Sequence, residues 1–122
     1  MLKTYKDLIV WKKAMELVIK IYHLTRGFPK DELFGLTSQM RRAAISIPSN
    51  IVEGKMRFSD KEFRRFLLIV YASASELETQ LEISKQLEFG DLSKYPDIEN
   101  LLIEVLKILN KLTFSKTYFA EN

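Results

Sequence analysis

Four segments of the chain carry apolar residues at spacings of three and four, the period of a helix that buries one face. No segment alternates apolar and polar residues between turn signals, as a half-buried strand would. Helix-breaking residues separate the segments at 26–29 (RGFP), near Phe58 and at 89–91 (FGD). Because connections this short force neighbouring helices to run antiparallel, the sequence predicts an all-α, up-down-up-down antiparallel four-helix bundle. With 122 residues, 47% of them apolar, we expect residues 1–122 to form a single domain.

Start and stop signals place the predicted helices. The first covers about 4–25 or 7–25, and the second covers about 37–56 with Thr37 or Ser38 as its N-cap. The third covers about 59–88 and opens with a capping box formed by Ser59 and Glu62, and the fourth carries Pro96 in its first turn. The residues expected to face the core are Leu8, Trp11, Met15, Val18 and Tyr22 in the first helix, Phe63, Phe66, Leu67, Val70, Ala74, Leu77, Leu81 and Ser84 in the third, and Ile98, Leu101, Leu102, Val105, Leu109 and Leu112 in the fourth.

A proline lies inside the second predicted helix, within residues 39–54 (QMRRAAISIPSNIVEG). Pro48 has no N–H, so the carbonyl of Ala44 loses its helical partner at a cost of about 3 kcal/mol or more. We expect short polar side chains beside it, Ser46, Ser49 and Asn50, to satisfy freed backbone groups. Pro48 and Asn50 are therefore assigned structural roles.

The turn near Phe58 sets a register between the second and third helices. It places Ala43 and Ala44 opposite Ala72 and Ser73, so we expect the two backbones to approach closely there. At that height Arg41 or Arg42 is predicted to form a buried or nearly buried ion pair with Glu76 or Glu78. The structural residues expected from this register are Arg41, Arg42, Glu76 and Glu78.

The composition argues against catalysis and membrane insertion. The chain has no cysteine and its single histidine is His23, so it can form neither a disulfide nor a metal site built from cysteines or several histidines. It has no glycine-rich phosphate loop, and no uncharged apolar run long enough for a signal peptide or a membrane span. We therefore expect a cytoplasmic protein that is not an enzyme, with no cofactor, no metal, no membrane contact and no small-molecule substrate.

Charge is unevenly distributed along the chain. Residues 1–65 carry 14 Lys/Arg and 7 Asp/Glu, whereas residues 66–122 carry 5 and 9. A basic half of this kind can attract phosphate groups or the acidic half of another copy of the chain.

Five cations surround the turn between the second and third helices, and they are the candidate nucleic-acid contacts: Lys55, Arg57, Lys61, Arg64 and Arg65. A second candidate set on the first helix comprises Lys12, Lys13 and Lys20. An ordinary solvated bundle end would carry similar charges. Phe58 could stack on an unpaired base, and it could equally cap the core.

More apolar residues are present than one four-helix bundle can bury. The surplus residues beside the predicted core stripes are Phe66, Ile69, Ile83, Ile103, Leu106 and Phe114. Such a surplus indicates a subunit interface, so a homo-oligomer is expected.

Several segments resemble the small bacterial four-helix-bundle family named for proteins encoded in 23S rRNA intervening sequences. They are residues 7–14 (DLIVWKKA), 22–25 (YHLT), 28–29 (FP), 32–44 (ELFGLTSQMRRAA), 46–54 (SIPSNIVEG) and 73–78 (SASELE). The resemblance implies a basic four-helix bundle that assembles as a homopentamer and has no established enzymatic activity. A similar protein, the accessory protein of diversity-generating retroelements, works beside a reverse transcriptase and binds nucleic acid.

Two functions follow from this resemblance and stay open at the level of sequence. One is an oligomeric protein that binds RNA or DNA through its basic surfaces. The other is a protein-interaction scaffold, for a reverse transcriptase or another acidic protein, that does not touch nucleic acid directly.

Overall fold

The computed structural model describes residues 8–114 as four α-helices. They are α1 (Ile9–Thr25), α2 (Leu36–Lys55), α3 (Asp60–Gln86) and α4 (Tyr95–Phe114), with 3-10 turns at Lys30–Glu32 and Leu92–Lys94. No strand occurs within these residues. Each helix packs against the next, and α4 closes the bundle against α1. The prediction of an all-α, up-down-up-down four-helix bundle is confirmed.

The core-facing stripe predicted for α1 is wrong by one residue position. The fully buried residues are Val10, Ala14, Leu17, Ile21 and Leu24. Of the predicted stripe only Leu8, which precedes the helix, is buried. Met15 is exposed, and Trp11, Val18 and Tyr22 are half-buried. Residues 4–7, where the helix was predicted to begin, lie outside the described residues.

The core-facing stripes of α3 and α4 are confirmed. All eight residues predicted for α3 are buried, and so are all those predicted for α4 except Leu112, which is half-buried. At the start of α3 the Ser59 hydroxyl accepts a hydrogen bond of 3.3 Å from the Glu62 N–H, as predicted. The Glu62 carboxylate pairs with Arg65 at 2.9 Å, whereas the capping box placed it on the backbone N–H of Ser59.

Helix α2 begins earlier than predicted and runs through Pro48 without interruption. Its cap is neither Thr37 nor Ser38. Gly35 precedes the helix, and the Glu32 carboxylate accepts a hydrogen bond of 3.2 Å from the N–H of Leu36. Beside the proline, the Asn50 amide donates to the carbonyl and the hydroxyl of Ser46, at 2.9 Å each. These bonds reach Ser46 and not the carbonyl of Ala44, the group that Pro48 leaves without its helical partner, so the structural role of Asn50 stays a prediction.

The register of α3 against α2 differs from the predicted one. The hydroxyls of Ser46 and Ser73 are hydrogen-bonded at 2.9 Å, whereas a turn centred on Phe58 would place Ser46 opposite Val70. The difference is about three residues, close to one turn of the 3.6-residue helical repeat. The helices approach closely at Gly54, where an added Cβ would lie 2.6 Å from the Cβ of Phe66.

The predicted ion pair between α2 and α3 does not form in the described part of the chain. Arg41 faces α1: its Nε donates a hydrogen bond of 2.9 Å to the Thr25 hydroxyl, and its guanidinium carbon lies 4.5 Å from the centre of the Tyr22 ring. Arg42, Glu76 and Glu78 are exposed. Arg42 and Glu76 line one shallow cleft, yet they are not within ion-pair distance. The prediction is wrong because the rotation of α2 directs Arg41 to the other neighbour.

Candidate nucleic-acid interface

The antiparallel topology brings four basic segments to one end of the bundle. The α2–α3 turn lies there, together with the start of α1 and the end of α4. The half of the bundle that contains this turn, residues 8–17, 46–73 and 105–114, carries nine Lys/Arg and four Asp/Glu. The other half, residues 18–45 and 74–104, carries seven and ten. We call the cationic side chains of the first half the basic end: Lys12, Lys13, Lys55, Arg57, Lys61, Arg64, Arg65, Lys107 and Lys111.

Two buried aromatic rings hold the cations of the α2–α3 turn in place. The guanidinium carbons of Arg57 and Arg65 lie 5.1 and 4.6 Å from the centre of the Phe66 ring. Lys55 Nζ lies 5.3 Å from the centre of the Phe63 ring. Cations on ring faces are attracted by the ring quadrupole while their remaining donors stay in water. This arrangement fixes the positive charges on the surface.

Carboxylates moderate part of this charge. Glu53 lies 3.6 Å from Arg57, and Glu62 lies 2.9 Å from Arg65. The hydrogen bond from Arg65 is the largest cause of the lowered pKa of Glu62. Desolvation opposes it, and the charges of Arg65, Arg57 and Lys61 lower the pKa further by smaller amounts. Lys61 is exposed and forms no ion pair with any described residue. It is therefore the cation of this turn that can most readily meet a phosphate.

Arg64 has a structural contact that the sequence did not indicate. Its Nε donates a hydrogen bond of 3.0 Å to the carbonyl of Thr113, in the last turn of α4. Carbonyls in a last helical turn have no partner within their own helix, so this bond caps α4 and ties it to α3.

The second candidate set, on α1, divides into two kinds of residue. Lys13 bonds to Glu104 at 2.8 Å and Lys20 bonds to Asp97 at 2.6 Å, so both tie α1 to α4. These hydrogen bonds are the largest cause of the raised pKa of each lysine. Lys12 is exposed and forms no ion pair with the described residues. Of the three, Lys12 alone therefore resembles Lys61 in its surroundings.

The chain matches the family model described as 23S rRNA-intervening sequence protein over residues 6–111. The chain belongs to this family. A solved structure from Bacteroides thetaiotaomicron, described as a protein with unknown function from the S23 ribosomal protein family, is 26% identical to it, with a TM-score of 0.77. The similarity covers 88% of this chain and 100% of that one. No curated protein matches the chain.

In this member of the 23S rRNA-intervening sequence protein family, Phe58 does not cap the core. Its side chain is 85% exposed, and its backbone has a φ of 54°, in the left-handed region. It follows Arg57 and precedes Ser59, so it lies at the tip of the α2–α3 turn, within the basic end.

Some of the apolar residues that were expected to be left over beside the core stripes are buried within the bundle. Phe66 is buried and Leu106 is half-buried, so neither is left over. Ile69, Ile83, Ile103 and Phe114 are at least 40% exposed, and these four remain as apolar surface. Ile83 and Ile103 line one open groove between α3 and α4.

The described residues were also compared with the requirements of a metal site and of a membrane span. They contain no cluster of three or more His, Cys, Asp or Glu side chains placed to hold a metal ion. None of their helices combines the length and the hydropathy needed to cross a bilayer.

Sequence reasoning missed Lys107 and Lys111 as members of the basic end. They are about fifty residues from the α2–α3 turn in sequence, and only the antiparallel packing of α4 brings them to the same half. The predicted topology already contained this information, because an up-down bundle places the end of its fourth helix beside its middle turn.

Proposed function

We propose that the protein is a non-enzymatic, oligomeric nucleic-acid-binding protein that contacts RNA or DNA through its basic end. The observation that carries the proposal is the separation of charge along the bundle, nine cations against four carboxylates in one half and seven against ten in the other. Clustered Lys and Arg neutralise phosphates and release counterions, which supplies affinity without reading sequence. The opposite half, with its excess of carboxylates, repels the same backbone.

Assembly of several copies would increase the number of phosphate contacts, because each basic end alone offers few. The net charge of the basic end in one protomer is small, and a single copy offers few phosphate contacts. A closed ring, such as the homopentamer that the family resemblance implies, would place several basic ends on one side, and each added contact would act at high effective concentration. The exposed Ile69, Ile83, Ile103 and Phe114 support an interface between copies.

Binding across a salt series tests the proposal. The anisotropy of a labelled structured RNA is titrated with the full chain at increasing salt. We expect the affinity to fall steeply with salt, and the joint variant Lys12→Ala/Lys61→Ala to weaken binding at low salt. The matched control is Lys30→Ala/Lys94→Ala, which removes two exposed cations from the other half and should leave the affinity close to that of the parent. Absence of binding at low salt, or binding that ignores salt, would reject the proposal.

Light scattering tests the oligomeric part separately. We expect a mass several times that of one chain at micromolar concentration. A monomer would remove the avidity argument and leave single basic ends as the only source of affinity.

The second candidate function is a scaffold for a protein partner, a reverse transcriptase among them. The observation that favours it is the open groove between α3 and α4, where Ile83 and Ile103 are each 45% exposed. Three glutamates line the same groove. A scaffold would lose its partner on Ile83→Asp but keep it on Lys12→Ala/Lys61→Ala. Nucleic-acid binding would weaken on Lys12→Ala/Lys61→Ala, and Ile83→Asp would weaken it only where the mass in light scattering also falls.

A further inference from the structure

We infer that Phe58 is a stacking platform for an unpaired base, so that the nucleic acid bound at the basic end is single-stranded at the point of contact. The inference rests on the proposed function and specifies its ligand. It would make the tip of the α2–α3 turn a contact for bases, with phosphates held by the cations around it.

The ring of Phe58 is free within the described part of the chain. Its side chain is 85% exposed, and none of the described rings or cations packs on it. The nearby rings of Phe63 and Phe66 are buried and are covered by Lys55, Arg57 and Arg65. Phe58 is therefore the aromatic side chain of this turn whose faces are open to a ligand.

The backbone at Phe58 has the left-handed conformation that often follows a helix end. A φ of 54° lies in the left-handed region, where glycine is unstrained and a bulky side chain is disfavoured. The side chain contributes little to the core because it is exposed, so the fold would be more stable with glycine here. Glu88 has a similar φ of 57° after α3, so the left-handed backbone accompanies a helix end, and it is the open ring of Phe58 that supports the inference.

The charges around the tip fit a nucleic acid strand. Arg57 directly precedes Phe58, and the exposed Lys61 follows three residues later, at the start of α3. Proteins that bind single strands combine aromatic platforms for bases with cations that track the backbone. Inside a duplex the base faces are already stacked on each other, so an aromatic ring at a turn meets an open base face most readily on an unpaired base.

Phe34 provides an internal comparison. It is 94% exposed, more than Phe58, but it lies in the half of the bundle that carries more carboxylates than cations. Its near neighbours Asp31 and Glu32 are acidic. Exposure of an aromatic ring is therefore common to both ends, whereas the ring of Phe58 also lies beside clustered cations. Phe114 shares a groove with Lys107 and Lys111, but its ring is in edge contact with Tyr71.

The test compares a labelled oligouridine with a blunt-ended RNA duplex of equal length, each titrated with the full chain at one low salt concentration. We expect Phe58→Leu to weaken oligouridine binding about tenfold and to leave duplex binding unchanged, because base–aromatic stacking is lost while the cations remain. Phe34→Leu is the matched control and should change neither affinity. Phe58→Gly should raise the thermal midpoint of unfolding while weakening oligouridine binding, a combination that a structural role would not produce.

Three results would overturn the inference. Equal losses for oligouridine and duplex would mean that Phe58 acts on phosphate contacts or on folding. Unchanged oligouridine binding by Phe58→Leu would mean that no base stacks on the ring. A reduced mass of Phe58→Leu in light scattering would assign the ring to a contact between copies. Failure of the parent protein to bind either probe would instead reject the proposed function itself.

Discussion

The Arg41 guanidinium joins α2 to α1 through Thr25. Its Nε donates a hydrogen bond of 2.9 Å to the Thr25 hydroxyl, which in turn donates to the carbonyl of Ile21 at 2.8 Å. The same guanidinium lies over the Tyr22 ring. Arg41, which the sequence suggested for an ion pair between α2 and α3, thus serves the opposite interface of α2, whereas Arg42 is exposed.

Replacing Arg41 should therefore destabilise the bundle, whereas replacing Glu76 should not. We expect Arg41→Ala to lower the free energy of unfolding by about 1–2 kcal/mol, the combined contribution of a hydrogen bond and a half-buried cation on a ring. Arg41→Lys should recover only part of this, since lysine cannot reproduce the planar stacked contact. Urea unfolding followed by circular dichroism measures the difference. Glu76→Gln is the control. If it lowered the free energy of unfolding as much as Arg41→Ala does, the ion pair predicted between α2 and α3 would be supported.

Adding a methyl group at Gly54 should be costly despite the better helix propensity of alanine. The new Cβ would lie 2.6 Å from the Cβ of Phe66, and neither atom can move without its backbone. We expect Gly54→Ala to lower the free energy of unfolding by about 1–3 kcal/mol, as overpacking does. Ser49→Ala, an exposed position of the same helix, should change it little. A Gly54→Ala protein as stable as the parent would show that the helices can separate freely at this point.

The hydroxyl of Tyr95 should contribute to stability where α4 begins. It lies 2.8 Å from the Phe89 carbonyl and 2.9 Å from the Ser84 hydroxyl, and burial raises the pKa of Tyr95. Tyr95→Phe keeps the ring and leaves these groups without their partner, so we expect a loss of about 1–2 kcal/mol in unfolding free energy. Tyr71→Phe removes a hydroxyl from a half-buried tyrosine of α3 and serves as the comparison. Equal stability of the two variants would contradict the role of the Tyr95 hydroxyl.

Within the nucleic-acid candidates, Lys61 and Lys20 should behave differently. Lys61 forms no ion pair with the described residues, so Lys61→Ala should reduce the slope of log affinity against log salt by about one if its ammonium meets a phosphate. Lys20 is held by Asp97 in the other half of the bundle, so Lys20→Ala should leave that slope unchanged. The two slopes come from the same anisotropy titrations. A larger change of slope for Lys20→Ala than for Lys61→Ala would indicate that the nucleic acid contacts the α1–α4 face.

The number of helices, their order and the core stripes of α3 and α4 can be predicted from local sequence. These followed from local signals, because the apolar spacing of α3 and α4 has one dominant stripe and because Ser59, Gly90 and Pro96 mark the helix boundaries. An up-down topology then leaves little choice for helices joined by short turns.

The rotation of α1 and α2 about their axes depends on how the four helices pack together. Helix α1 has two adjacent apolar stripes, one through Leu17 and Ile21 and one through Val18 and Tyr22, and one residue step turns a helix by about 100°. Which stripe is buried depends on the side chains of the neighbouring helices, and the sequence of α1 alone does not contain that information. The same rotation sends Arg41 to Thr25, and the packing of α1 on α4 gives Lys13 and Lys20 their carboxylates. Charge along the sequence could therefore locate the basic end, but the separation of paired from unpaired cations required the helices to be packed together.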